Sequence, residues 1–386
     1  MLMLKAVVGH SNDPDTEFAI ADVLEQCLTG LAGLKPQAAI LLAAMDFDHD
    51  KILHQIHQTF LDIQLIGGTT DGEISSILEF QQDSLVLMLL CSDQVEFHGA
   101  VGRNISSDPI AIAQQTVQAA QAQTQRPTAL CITTPESLTT SGLLILEGLQ
   151  QALGKTIPIV GGTTCDQWEF KQTHQFFGQD VLSDALPILL LSGPVLWGHG
   201  VATGWTPVGK KGNVTKVDGN ILYEVNGQPV SDFYQDYLGD IRPSPAYRLA
   251  VFEPNQTSWY MRTSNGSYDA ASGSITFFAD IPPESEVQVV RSSRDEMVLS
   301  ANSSMRQALE HYPGKRPTVA LLFSCTGRMR VLGTRTREEY QVLQQEISPN
   351  VVCAGFYTYG EIAPSYTNGM AKFHNETFVT LLLGDE

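Results

Sequence analysis

Basic residues are scarce in this 386-residue chain: 23 lysines and arginines stand against 42 aspartates and glutamates, a formal net charge of -19. That balance excludes the broad cationic face on which nucleic acids and anionic membrane surfaces bind. Long hydrophobic runs are missing as well. The longest, Ser84 to Cys91 and Leu186 to Ser192, fall far short of the roughly 20 apolar residues that span a bilayer, and read as buried strands. The opening Met-Leu-Met-Leu-Lys lacks the basic region, apolar core and cleavage site of a signal peptide. The six cysteines (Cys27, Cys91, Cys131, Cys165, Cys325, Cys353) form no CxxC pair. Neither a zinc knuckle nor a disulfide framework is therefore signalled, and a reducing cytoplasm is the expected location.

What the chain does have is repetition. Leu65-Ile-Gly-Gly-Thr-Thr-Asp-Gly-Glu-Ile74 is echoed by Cys353-Ala-Gly-Phe-Tyr-Thr-Tyr-Gly-Glu-Ile362 and, more briefly, by Val160-Gly-Gly-Thr-Thr-Cys165. Val8-Gly9 recurs as Val101-Gly102 and Gly67-Gly68 as Gly161-Gly162, which sets a unit of about 94 residues. Within unit I the apolar periodicity predicts strands at Leu4 to Gly9, Ala38 to Ala44, Gln64 to Gly67 and Leu85 to Leu90, with helices at Asp15 to Leu31 and Asp48 to Phe60. Unit II follows the same order: strands at Glu96 to Gly102, Thr128 to Thr133, Ile157 to Gly161 and Leu186 to Leu191, and helices at Ile110 to Gln123 and Ser141 to Leu153. A last unit is expected over roughly Val287 to Glu386, with a strand at Val319 to Phe323. The intervening Val195 to Glu286 is read as a degenerate fourth unit, since Trp197 to Gly204 resembles Glu96 to Gly102. Asp218-Gly219 marks a hairpin. The expected fold class is α/β (mixed α+β), built from internally repeated β-α-β-α-β-β units forming two domains, 1–205 and 206–386.

Several segments together resemble the FIST family of bacterial signal-transduction sensors. They are Val160-Gly-Gly-Thr-Thr164, Val214 to Glu224 with Asn226-Gly-Gln-Pro229, Phe323-Ser-Cys-Thr-Gly-Arg328, Ala354 to Ile362 and His374-Asn-Glu-Thr-Phe378. The resemblance spans nearly the whole chain as an N-terminal and a C-terminal FIST domain in tandem. It implies a small-ligand sensor, proposed in the family for amino acids, while some members bind haem and sense nitric oxide. The segments include no kinase, cyclase or methyl-accepting module. Output is therefore expected through a separate signalling protein, such as a histidine kinase or a cyclic-dinucleotide enzyme.

The candidate ligand residues are Cys325, Arg328, Phe356, Tyr357, Tyr359, Glu361, His374 and Asn375. Cys325 and Arg328 follow a predicted strand, at the end where open α/β sheets place ligands. Arginine suits a carboxylate and glutamate an ammonium, the two ends of an amino acid; a buried Arg328–glutamate pair serving the fold is the other reading. Cys325 with His374 and either Glu361 or Asn375 would compose a thiol hydrolase or acyltransferase, a further reading of the same residues. For haem, His374, His199 and His98 are the axial candidates and no covalent attachment motif is present. Asp46-Phe-Asp-His-Asp50 is not a calcium loop, because Lys51 and His57 stand where glycine and glutamate are needed. His54 and His57, one helical turn apart, lack a third metal ligand. The glycine-threonine loops fit neither GxGxxG nor a Walker motif.

Overall fold

The computed structural model describes residues 4–239, 248–254, 258–365 and 369–384. In unit I the strands Lys5–Ser11, Ala38–Ala43, Gln64–Thr69 and Leu85–Cys91 alternate with the helices Thr16–Leu31 and His49–Thr59. Asp15 and Asp48 cap those helices through their carboxylates, so the acidic Asp46 to Asp50 stretch is a helix start, stabilised by the dipole it faces. Unit II repeats the plan with Glu96–Arg103, Pro109–Gln121, Thr128–Thr133, Gly142–Leu153, Ile159–Gly162 and Ala185–Ser192. The protein is mixed α+β, 27% helix and 38% strand. Among the described residues no helix is long and apolar enough to cross a membrane.

The expectation for the rest of the chain needs correction. Unit III opens with Leu196–Ala202, which pairs with Phe378–Gly384, and resumes only at the helix Arg294–His311 and the strand Val319–Cys325. There is no fourth unit over Val195 to Glu286. After its first strand, that stretch is an insertion: among the described residues, an eight-stranded antiparallel sheet between Thr206 and Arg291, with one helix, Val230–Leu238, and a core of its own. Glu286–Arg291 belongs to the insertion rather than opening the last unit. The inserted sheet broke the period and hid the kinship of Leu196–Ala202 with its true partners. The Asp218-Gly219 signal does turn a hairpin, between Gly212–Asp218 and Ile221–Val225, with Gly219 at φ 55°.

Within each unit the strand order is first, last, second, third. The second and third run parallel, and the last is antiparallel to both its neighbours. Each sheet then receives two short strands from another unit, which the sequence reading did not find. Glu73–Ser75 and Glu79–Gln81 of unit I extend the unit III sheet, with Glu73 opposite Phe356. Gln175–Phe177 and Asp180–Leu182 of unit II extend the unit I sheet, with Gln175 opposite Gly68. Glu361–Pro364 and Ala371–His374 of unit III extend the unit II sheet, with Glu361 opposite Gly162. The exchange is cyclic. One face of all three sheets contributes to a shared apolar core that includes Ile40, Ile132 and Leu321, while the long helices pack on the other faces.

The equivalent glycines 67, 161 and 355 sit where the third strand of a unit passes its second. A Cβ there would lie 1.9, 1.9 and 2.2 Å from the carbonyl oxygens of Leu41, Thr133 and Leu322. Their role is close backbone approach. Gly161→Ala is therefore expected to push two parallel strands apart and to cost about 1–3 kcal/mol of stability, read as a lower urea midpoint at unchanged slope. An unchanged midpoint would show that the strand pair yields without penalty.

Candidate functional site

The exchange of hairpins brings the three glycine-threonine loops to one place. Cys165 N donates to Thr69 O (2.8 Å), Asp71 N to Tyr357 O (3.3 Å) and Thr163 N to Gly360 O (2.9 Å). The Thr69 hydroxyl reaches Cys165 O (2.6 Å), and the Thr358 hydroxyl reaches Thr163 O (2.7 Å). Asp71, Cys165 and Tyr359 occupy the same position in the three loops and converge. The Tyr359 hydroxyl donates to Asp166 Oδ1 (2.6 Å) and accepts from Trp168 N (2.7 Å). Asp166 in turn gathers the backbone N–H groups of Phe170, Lys171 and Gln172. That anchoring holds Gln167, Trp168 and Phe170 at φ 57°, 66° and 52°, an uncommon conformation for large side chains that stores strain in the loop.

Beneath this loop lies a cavity of about 20 Å³, lined by Trp168, Phe170, Phe278, Tyr359, Cys325 and Asn375, with Glu376 and Gly327 at its floor. The Phe170 ring stacks between those of Tyr359 (5.0 Å) and Phe278 (5.7 Å), and the Arg330 guanidinium lies 3.6 Å over the Trp168 ring. Gly327 makes room for Glu376, since a Cβ would sit 2.0 Å from its Oε1. Glu376 pairs with Arg248 (2.8 Å) and accepts from Trp205 Nε1 (3.2 Å).

Two residues of the cavity's lining leave a buried polar atom without a protein partner, Asn375 Oδ1 and Trp168 Nε1; Asp71 Oδ2 and Glu361 Oε1 are open as well but lie outside the lining. Burial pushes the Asp71 carboxyl up to about 7 and that of Glu361 up to about 8. The Cys165 and Cys325 thiols lie well above the usual range, chiefly through burial and secondarily through neighbouring acids. Buried polar groups are nearly always satisfied, so the two open valences in the lining of this cavity mark it as a candidate place for a guest.

The FIST N domain family model matches residues 37–228, and the FIST C domain model matches residues 231–364. This chain belongs to the FIST family. FIST domains generally serve as small-ligand sensors in signal transduction. An uncharacterized protein of Mycobacterium tuberculosis is 24% identical over 95% of this chain and 98% of its own length. One from Methanocaldococcus jannaschii is 23% identical over 58% of this chain and 48% of its own. Among solved structures, a cyanuric acid hydrolase from A. caulinodans aligns over 98% of this chain and 99% of its own, at 9% identity and a TM-score of 0.40.

Of the residues expected to form the FIST ligand site, Cys325, Tyr359 and Asn375 meet at this cavity. The others lie elsewhere. Arg328 is fully buried against Glu339 (2.6 Å), and the Tyr357 hydroxyl donates to the other oxygen of that carboxylate. Phe356 packs edge-on against Phe323 in the shared core. Glu361 is buried on the unit III hairpin, accepting from Thr377 N and Oγ1. His374 lines a separate cavity of about 140 Å³ with Tyr260 and Thr377, its Nε2 bonded to Ala363 O (3.0 Å). Cys325 lines the other cavity, the one beneath Trp168.

Of the three histidines considered for haem, His374 lines the cavity of about 140 Å³, His199 is buried against Trp197 and His311, and His98 faces Glu96. Among the described residues no three His, Cys, Asp or Glu side chains gather to hold a metal. The sequence reading overlooked Trp168, Phe170 and Glu376. The first two follow a glycine-threonine loop directly, and that adjacency was the available signal.

Proposed function

We propose that this FIST protein is a cytoplasmic sensor of an ammonium-bearing small molecule, an amino acid in the first instance, bound in the cavity beneath Trp168. Asn375 carries the reading. It is 2% exposed, lines the cavity and leaves its amide oxygen without a partner, which suits a donor such as an ammonium. Aromatic faces and the Glu376 carboxylate favour the same charge, and Arg330 beside Trp168 offers a partner for a carboxylate. A cavity of about 20 Å³ holds little more than a water molecule. Ligand entry therefore requires the strained loop carrying Trp168 and Phe170 to swing outward. Such a displacement changes the surface around Phe170, already 42% exposed, and a separate histidine kinase or cyclic-dinucleotide enzyme would read that change. Transmission demands that the partner prefer one state of the loop over the other.

The test is titration of the full chain with the standard amino acids, followed by tryptophan fluorescence and thermal shift. At least one amino acid is expected to bind with a fluorescence change. Asn375→Ala, whose amide oxygen has no bond to lose, should weaken that binding about tenfold, the effect of one buried hydrogen bond to a charged group. If no amino acid binds, or if Asn375→Ala binds like the parent, the reading fails.

A further inference from the structure

A second and much larger cavity, about 600 Å³, opens between the Gly142–Leu153 helix of unit II, the Ala371–His374 strand of unit III and the inserted sheet. Its volume falls within the range of small-molecule pockets. On its wall Arg262, only 3% exposed, donates through Nε to Asp280 O (2.8 Å) and through Nη1 to Met261 O (2.9 Å) and Phe373 O (3.2 Å). Among the described residues no carboxylate comes within ion-pair distance of this guanidinium, and Nη2 has no acceptor. Burial draws its pKa below the ordinary arginine value, against the opposing pull of Tyr260, Asp280 and Glu253 nearby. A charge taken out of water without an opposite charge is costly. Lys372 joins it on the same wall, tied to Glu253 (3.1 Å), and both cations lie over the Tyr260 ring, at 4.3 Å for Arg262 and 5.0 Å for Lys372.

We infer that this cavity is a second ligand site, taking a carboxylate-bearing small molecule whose carboxylate is held by Arg262 and Lys372. Nη2, the one guanidinium nitrogen without an acceptor, can donate to a carboxylate oxygen, and the Lys372 ammonium on the same wall can meet the other. The four acids that also line the cavity, Glu147, Asp218, Glu253 and Asp280, oppose a doubly charged phosphate more than a singly charged carboxylate. The two sites are independent, because none of the residues lining the cavity beneath Trp168 lines this one.

The probes are glutamate, succinate and inorganic phosphate, titrated calorimetrically into the full chain. Binding of glutamate or succinate, with phosphate at least tenfold weaker, is expected. Lys372→Met should weaken carboxylate binding about tenfold, the effect of one charged hydrogen-bonding partner. Leu143→Trp, which fills the cavity from a half-buried position, should abolish it while leaving the melting temperature and urea midpoint close to the parent's. Asn375→Ala should leave this binding intact, which separates its failure from that of the site beneath Trp168. Phosphate binding as tight as the carboxylates, no carboxylate binding, or binding that survives Leu143→Trp would each overturn the assignment.

Discussion

Replacing Arg328 with alanine is expected to destabilise the protein by about 3–5 kcal/mol, the usual consequence of removing one member of a buried ion pair. Arg328 is fully buried and donates to Glu339 Oε1 through Nε (2.9 Å) and Nη2 (2.6 Å), to Thr203 O (2.7 Å), to Met297 O (2.9 Å) and to Ser300 Oγ (2.9 Å). Glu339 is equally buried, and its second oxygen accepts from Ser324 Oγ (3.0 Å) and the Tyr357 hydroxyl. Alanine strands that carboxylate in the core and frees three acceptors. The double variant Arg328→Met with Glu339→Gln should recover much of the loss, because it removes the charge as well as its partner. Urea denaturation followed by circular dichroism decides the matter. An Arg328→Ala protein as stable as the parent but impaired in amino-acid binding would restore the ligand role first expected for this arginine.

Raising the pH from 6.5 to 8 is expected to weaken the fold by several kcal/mol. Burial lifts the carboxyls of Glu73 and Glu361 to about 8 and that of Asp71 to about 7. In the unfolded chain these groups ionise near ordinary carboxyl values, so between those values and their folded ones the native state holds the extra protons. Stability falls as pH rises through that interval, by about 1.4 kcal/mol per pH unit for each carboxyl. His10, His199 and His374 act in the opposite direction: burial lowers each to about 4, so their contribution is lost as pH falls from the ordinary histidine value of 6.5. The two sets oppose one another below pH 6.5, and only the carboxyls remain above it. Denaturation at pH 6.5, 7.2 and 8 should give a declining series, flattened by Glu73→Gln or Glu361→Gln. A flat or rising series in the parent would contradict the burial of these acids.

The repeat was legible because its strands are local apolar runs and its helices carry their own caps. Thr128–Thr133 coincides with the expected strand, and Asp15 and Asp48 stand where the helices start. The exchanged hairpins were not legible: Glu73–Ser75 is three residues long, and its partner lies far along the chain. Leu196–Ala202 was recognised as strand-like but assigned to the wrong unit, since the inserted sheet separates it from Val319–Cys325. Cys325, Tyr359 and Asn375, each beside a strand end, line one cavity as their places in the sequence suggested. For Arg328 the sequence left two readings open, because a guanidinium serves an internal carboxylate as well as a bound one, and only the fold shows that Glu339 takes it.

The cyclic exchange also bears on how the molecule comes into being. As the chain leaves a ribosome, the unit I sheet can be completed once Asp180–Leu182 has emerged, but the ribbon at Glu73–Gln81 must wait for Val352–Thr358, nearly three-quarters of the chain later. The edge of the unit II sheet, at Ile159–Gly162, waits about half the chain for Glu361–Pro364. Pairings so distant in sequence form slowly and leave strand edges exposed meanwhile. The nascent protein therefore passes much of its synthesis with two open sheet borders, and the cavity beneath Trp168, walled by Tyr359 and Asn375, cannot exist until the last lobe has docked.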